Sequence, residues 1–398
     1  MPGHSRPAMP ATVWMLGFVS LLMDVSSEMV QTLLPLYLAG GLGISVLAIG
    51  FIEGLSVAIA TATKFLSGLI ADRSGRAKPL AVLGYGLGAL SRLIFPLAVS
   101  LDQIVLAKAM DRVGKGIRGT PRDAMVAGAT PPEIRGAAFG LRKSLDTVGG
   151  FAGPVLAVLA MLAFAGNYQA VFWLAAIPAA LAMAVLIFGV QEPKATPAAK
   201  PSNFRLIHAL RLNPAVWGVI GIASLIMLAR FSEAFLLLKS LEAGFLPVWV
   251  PLAMVIMHAA YGLSAYPVGR LSDRIGSHGL LMAGLGFLLA AHLVLASATT
   301  VAGFLCGTVL WGLHMGFSQG LLGALIAKAT PPDLKGSAFG TFNLVTGLVV
   351  LVGNTAAGWL WVSHGSAAPF LMGAALTVLA LILLSLTHQR STKPADNS

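Results

Sequence analysis

The sequence predicts an all-α polytopic membrane protein, with twelve transmembrane helices arranged as two parallel repeats of six. Three observations lead there. Of the 398 residues, 57% are hydrophobic and only 10% charged, whereas a water-soluble domain is about a quarter charged; an apolar exterior of that extent suits a bilayer. Apolar runs recur about every 33 residues, the room that one span and its turn require, and leave no space for a catalytic domain. Finally, Ala129-Thr-Pro-Pro-Glu-Ile-Arg-Gly-Ala-Ala-Phe-Gly140 returns 200 residues later as Ala329-Thr-Pro-Pro-Asp-Leu-Lys-Gly-Ser-Ala-Phe-Gly340, with eight of twelve positions identical.

The apolar runs fall at 12–38, 44–70, 79–98, 103–126, 136–163 and 169–190, then at 213–238, 247–270, 279–298, 301–326, 337–361 and 367–388. Asp24 and Glu28 within the first run distinguish it from the uncharged core of a cleaved signal peptide, so it reads as a retained span. Between the sixth and seventh runs, Pro193, Pro197, Pro201 and Pro214 with Lys194, Lys200, Arg205 and Arg211 mark a solvated linker. The expected organisation is a six-helix bundle over 1–190, a cytoplasmic linker over 191–213 and a second bundle over 214–398. With both termini cytoplasmic, 21 of the 26 Lys and Arg residues lie on the inner side and only Lys239 on an outer loop, the bias that orients proteins in a cytoplasmic membrane. Trp14, Trp173, Trp217, Trp249, Trp359 and Trp361 stand near span ends, as amphipathic rings prefer; Trp311 is mid-span. Because an even number of spans separates the copies, both have the same orientation, the parallel-repeat plan of a rocking transporter.

Several function classes are excluded. The single cysteine, Cys306, rules out a disulfide framework within the chain and any multi-cysteine metal site. The net charge of +11 sits in short clusters between apolar runs, which is a membrane-loop pattern rather than a nucleic-acid surface. No phosphate-binding Gly-x-x-x-x-Gly-Lys-Ser/Thr segment exists to power the chain with ATP, and no nucleophile–base pair or metal cluster stands out. Neither an enzyme nor a cofactor is expected.

Gly68-x-x-x-Asp72-Arg73-x-Gly75-Arg76 follows the second span, its glycines permitting a tight turn and its charges sitting at the membrane surface. The segment resembles the signature loop of the major facilitator superfamily, with a degenerate copy at Gly269, Asp273, Arg274 and Gly276 that ends in Ser277 where an arginine would stand. The resemblance implies a loop that latches the outward-open state by engaging an acid at the inner end of the fourth span, here Asp123. The alternative is that these charges only anchor the loop.

Lys108, Asp111, Arg112, Lys115, Arg118 and Arg122 share one face of the fourth span. Charges at such depth face a bundle interior, an aqueous cavity or a partner. Arg118 and Arg122 read as snorkelling toward the cytoplasmic interface, whereas Lys108 and Arg112 lie deeper and are substrate-cavity candidates. Arg112-x-x-x-Gly116 resembles the superfamily's fourth-helix arginine motif, which is associated with proton coupling. Asp24 and Glu28, one turn apart in mid-span, are the proton-coupling candidates, similar to first-helix acids of drug/proton antiporters; the alternative is a permanent ion pair with Arg112 or Lys108. Glu53 on the second span is a further cavity candidate. In the fifth span, Gly149-x-x-x-Gly153-Pro154 permits close packing and a bend. It resembles the antiporter motif of superfamily exporters, with Ala157-Val158 replacing the trailing glycine pair. Arg142, Lys143 and Asp146 nearby are assigned to an inner gate or the cavity.

In the second half, Arg230, Glu233, His314 and Gln319 join the cavity candidates, beside His258 and Tyr261. The resemblance implies that the first, fourth, seventh and tenth spans line the cavity. A lone histidine such as His314 is more often a packed group than a ligand, and two histidines on different spans make no metal site. Asp24-Val-Ser-Ser-Glu28, Asp111-Arg112-x-Gly-Lys-Gly-Ile-Arg118 and Pro121-Arg-Asp123 resemble a prokaryotic branch of drug/metabolite:proton antiporters. The function expected is secondary transport by alternating access in the cytoplasmic membrane, as a monomer, with protons driving efflux of a small solute. Interior bases slightly outnumber interior acids, which suggests an anionic or zwitterionic solute over a lipophilic cation; a proton-coupled importer of such a solute, the same cycle reversed, is the nearest alternative, and a receptor without turnover the remaining one.

Overall fold

A computed structural model of the chain describes residues 8–74, 77–192, 212–330 and 335–392. Its helices are α1 (Ala11–Leu36), α2 (Val46–Ser74), α3 (Ala77–Ile94), α4 (Leu101–Ala129), α5 (Arg135–Ala163), α6 (Tyr168–Ala184), α7 (Pro214–Ala229), α8 (Ala234–Glu242), α9 (Pro251–Ile275), α10 (Ser277–Ser297), α11 (Val301–Ala329), α12 (Lys335–His364) and α13 (Ala367–Thr392). No strand occurs among the described residues. Among the described residues, eleven segments are long and apolar enough to cross a membrane. The twelfth expected span, α4, has the length at 29 residues, but its charged face lowers its hydropathy. The chain is a multi-pass membrane protein of all-α architecture.

Local chemistry sets the helix ends. Asn167 and Asn213 cap α6 and α7 by accepting from the amides of Ala170 at 3.1 Å and Val216 at 2.9 Å, satisfying orphan donors of the first turn. Thr130 and Thr330 end α4 and α11 alike, each hydroxyl bonding the carbonyl four residues back, and each precedes the Pro-Pro pair of the repeat, where a helix stops.

The seventh span departs from expectation. In place of one helix over 213–238, α7 and α8 are separated at Arg230, where φ −91° and ψ 82° leave the helical region. The Ser232 amide, displaced from the helix ladder, donates to Asn354 Oδ1 on α12 at 2.6 Å, and the Ser232 hydroxyl accepts from the Ala234 amide at 3.2 Å. Continuing as α8 also carries Lys239 into the last helical turn, where it is buried and paired with Glu242 at 2.9 Å, rather than onto an outer loop.

The chain divides into two compact units. One comprises Met1–Tyr37 and Ile59–Asn203, the other Leu38–Ala58 and Phe204–Ser398. The first turns of α2, expected in the first bundle, therefore group with the second unit, where Gly54 packs on the Leu351 backbone of α12. Within the first unit α1 packs on α5 and α6, and α3 on α4 and α6. Within the second, α7 packs on α12 and α13, and α10 on α11 and α13, so each half repeats the same pairings. Trp14, Trp173, Trp217, Trp249 and Trp359 are exposed, and Trp311 is fully buried.

Close approach of α3 and α4 depends on missing side chains. A Cβ on Gly84 would stand 2.7 Å from the Arg118 amide nitrogen and 2.8 Å from the Gly114 carbonyl oxygen, whereas one on Gly86, half a turn away, meets only the end of Met183 at 3.8 Å. Gly84→Ala is expected to lower the melting temperature in detergent, by an overpacking cost of about 1–3 kcal/mol. Gly86→Ala is expected to be neutral or stabilising by up to about 1 kcal/mol through helix propensity. Equal melting shifts for the two would contradict this packing.

Candidate functional site

Asp24 and Glu28 stand one turn apart near the middle of α1, both partly buried. Helix α5 fixes what lies behind them. A Cβ on Gly149 would sit 2.6 Å from the Leu21 carbonyl oxygen and 3.1 Å from Asp24 Cβ; one on Gly153 would sit 2.5 Å from Glu28 Cβ and 2.9 Å from the Val25 carbonyl oxygen. The two glycines of the fifth span thus face the two acids of the first, with buried Pro154 following. Small residues here let the backbones touch.

Asp24 faces Arg118, whose Nη2 lies 3.9 Å away. Arg118 is buried with its guanidinium 4.8 Å above the Tyr85 ring. Arg122 Nη1 donates to Ser20 Oγ at 3.1 Å, and Ser20 Oγ hydrogen-bonds the Tyr85 hydroxyl at 3.2 Å. Both arginines turn inward, which corrects their reading as snorkelling groups. A ring face, a hydroxyl and a carboxylate inside the bundle replace the water they would otherwise reach for.

Arg112 is held by Asp111, Nη2 to Oδ2 at 2.9 Å. The other oxygen of Asp111 takes Arg92 Nη2 at 2.6 Å. Arg92, at 1% exposure, spends its remaining donors on Ser26 at 3.1 Å, Ser27 at 2.8 Å and Ser91 at 3.1 Å, and Ser26 donates onward to the Ala175 carbonyl of α6 at 2.6 Å. Arg92 falls within the apolar run 79–98, and its residue type alone assigned it no role. The signal was the Ser26-Ser27 pair between the two acids, a polar interruption that marks the helix face Arg92 seeks. Lys108 is also buried.

At the far end of α4, Asp123 lies 3.2 Å from Arg122 Nε and 3.6 Å from Arg142 Nε, and Arg142 Nη1 donates to Asp146 at 2.8 Å. Lys143 is exposed. Gly75 and Arg76, and the side chains of Gly68, Asp72, Arg73 and Asp273, lie outside the described residues. Arg274 is exposed in the last turn of α9, which Gly276 ends at φ 85°.

The second unit has its own polar cluster at the break between α7 and α8. Arg230 Nη2 donates to Glu233 at 2.9 Å; the Gln319 amide, oriented to accept, takes Arg230 Nη1 at 2.8 Å and Nη2 at 3.0 Å. Ser232 donates to Glu53 at 3.2 Å. Four of the expected cavity residues thus meet. His314 is fully buried nearby, with Arg230 as an electrostatic neighbour and its Nδ1 2.9 Å from the Gly284 carbonyl oxygen of α10, the packed setting usual for a lone histidine. Among the described residues, no group of three or more His, Cys, Asp or Glu side chains is placed to hold a metal ion.

Known proteins match this arrangement over its whole length. The profile of the Major Facilitator Superfamily matches residues 16–348 and 241–398. An uncharacterised MFS-type transporter from Methanocaldococcus jannaschii is 29% identical over 381 residues, 94% of each chain. The inner membrane transport protein YajR of Escherichia coli is 26% identical, over 96% of this chain and 84% of that one, and the multidrug resistance protein MdtH of Yersinia pestis is 26% identical, over 87% and 86%. In fold, the chain is similar to a POT family transporter crystallised with 5-aminolevulinic acid (TM-score 0.79, 17% identity, 96% and 97% coverage) and to the nucleoside transporter NupG (TM-score 0.80, 15% identity, 94% and 99% coverage).

Asp111 neutralises two guanidiniums, so its loss strands both. Asp111→Leu is expected to cost about 3–5 kcal/mol, as for other broken buried pairs, and more than Arg92→Met, which leaves Asp111 with Arg112. Melting of both variants in detergent checks the order; a larger loss for Arg92→Met would contradict it.

Proposed function

Because the chain belongs to the Major Facilitator Superfamily, we propose that this secondary transporter draws on a proton gradient, with Asp24 and Glu28 taking up and releasing the proton. It is a membrane-embedded carrier of a small-molecule substrate, not an enzyme. The observation that carries the proton reading is the packing of Gly149 and Gly153 against the two acids. Any movement of α5 on α1 changes the surroundings of both carboxylates, and coupling requires that their proton affinity differ between the two states of the carrier. We place the protein in the cytoplasmic membrane with both termini inside, as a functional monomer of two bundles, 1–190 and 214–398, joined by the 191–213 linker. The signature segment, with Asp123, serves as the inner latch.

Each direction of transport has an observation behind it. Efflux in exchange for protons is supported by the fifth-span segment around Gly149, Gly153 and Pro154 and by similarity to a protein named for multidrug resistance. Proton-coupled import of an anionic or zwitterionic solute is favoured by the excess of cations around α4.

Purified protein in liposomes with an internal pH dye tests the cycle. Addition of a transported solute is expected to move protons, and Asp24→Asn or Glu28→Gln to reduce that movement at least tenfold while solute binding persists. Undiminished proton movement in both variants would remove the two acids from the cycle. Opposite directions of solute and proton would mark exchange, and a shared direction co-transport.

A further inference from the structure

In the first unit, α4 carries Lys108, Arg112, Lys115, Arg118 and Arg122 along one face, and α3 and α5 add Arg92 and Arg142. Against these seven cations stand five carboxylates, Asp24, Glu28, Asp111, Asp123 and Asp146. Even when every carboxylate cancels one cation, two positive charges remain within a membrane-spanning bundle, where an uncompensated charge is costly. The known pairings show where compensation is thin. Asp111 is shared between Arg92 and Arg112, and Asp123 between Arg122 and Arg142. Arg112 Nε is buried without a hydrogen-bond partner. One turn on, Lys115 is exposed, and its strongest electrostatic neighbour is Arg112 itself. Two like charges side by side, one presenting a buried donor and the other open, form a place for an anion.

We infer that Arg112 and Lys115 bind the transported solute through a carboxylate or phosphate group, and that this anion and a proton bind together rather than in competition. The inference deepens the second of the two readings above and rests on proton coupling only for its second clause. Its charge linkage follows from what surrounds Lys115. Asp24 and Glu28 face it from α1, and Arg112 and Arg118 flank it on α4; Asp24 in turn faces Lys115, Arg118, Arg122 and Asp146. A deprotonated Asp24 or Glu28 neutralises Lys115 and repels an incoming anion. Protonation removes that negative charge and leaves Lys115 to the solute, so by reciprocity each ligand strengthens the other. Ligands that favour each other's binding cross together. A cationic solute would instead compete with the proton for Asp24 and Glu28, and would be exchanged for it.

Equilibrium binding without any gradient tests the site. The probes are succinate, inorganic phosphate and tetraphenylphosphonium, titrated onto protein in phosphatidylcholine nanodiscs at pH 5.5 and 7.5, with a parallel set containing phosphatidylglycerol. Succinate or phosphate is expected to bind, at least tenfold more tightly at pH 5.5, and Lys115→Gln and Arg112→Gln each to weaken that binding at least tenfold. Lys115 is exposed, so its variant keeps the test available if Arg112→Gln, which deprives Asp111 of a partner, fails to fold. Asp24→Asn and Glu28→Gln are expected to bring the pH 7.5 affinity up to the pH 5.5 value. Binding of tetraphenylphosphonium alone would overturn the inference. So would anion affinity unchanged in both α4 variants, or binding seen only for phosphatidylglycerol, which would make the site a lipid contact. Anion binding that ignores pH and both acids would overturn the second clause and the proton-coupled cycle while leaving the site.

Discussion

The first unit is organised around one buried carboxylate. Asp111 bridges Arg92 and Arg112, and through Arg92 the serines of α1 and α3 and a carbonyl of α6 join the same network. A buried ion pair of this kind adds little net stability, because desolvation of the charges offsets most of their attraction. Its effect is geometric. Four N–H groups of Arg92 have acceptors on α1, α3 and α4, and Ser26 extends the network to α6, so these helices share a register in which the guanidinium is held. Displacement of α3 from α4 leaves a charge unpaired in a low-dielectric interior, and displacement of α1 takes two hydrogen bonds from Arg92; either is more costly than a shifted apolar contact.

The same frame sets the surroundings of the carboxylates of α1. Asp24 and Glu28 lie on the same helix as Ser26 and Ser27, whose hydroxyls Arg92 holds. They are backed by α5 at the distance of bare glycine. One side of α1 is therefore pinned by hydrogen bonds and another by steric contact. The contact of Asp24 with Arg118, at 3.9 Å, is long for a charge-assisted bond. A loose contact beside rigid ones is where a partner can be exchanged without unfolding the bundle.

Much of this was legible in residue patterns. Charge scarcity and the Ala-Thr-Pro-Pro repeat were enough to reach the membrane class and the duplicated plan, because both depend on composition and order alone. The pairing of Gly149 and Gly153 with Asp24 and Glu28 was visible as two separate motifs, but the register that joins them is a property of α1 against α5. Arg118 and Arg122 were misread for a related reason. Helical periodicity gives the face of a side chain and not what waits on that face, here the Tyr85 ring and the Ser20 hydroxyl of other helices. The break at Arg230 left no proline or glycine to announce it. It depends on Asn354, more than a hundred residues away, which supplies the acceptor that makes leaving the helix inexpensive.

The two halves differ at the buried ion pair. His292 stands 200 residues after Arg92, and Trp311 stands 200 after Asp111. Where the first unit has a salt bridge, the second has an aromatic cluster: the His292 and Trp311 rings lie 5.3 Å apart, and Phe231 packs on both and on Phe370. The helix pairings are the same, so either solution holds the same architecture. The aromatic one holds its helices by ring packing rather than by an ion pair, and at the broken span of that unit Arg230, Glu233 and Gln319 satisfy one another. The ionic one leaves positive charge in excess. The two halves thus reach the same helix pairings by different means at these positions, a buried ion pair in one and stacked rings in the other.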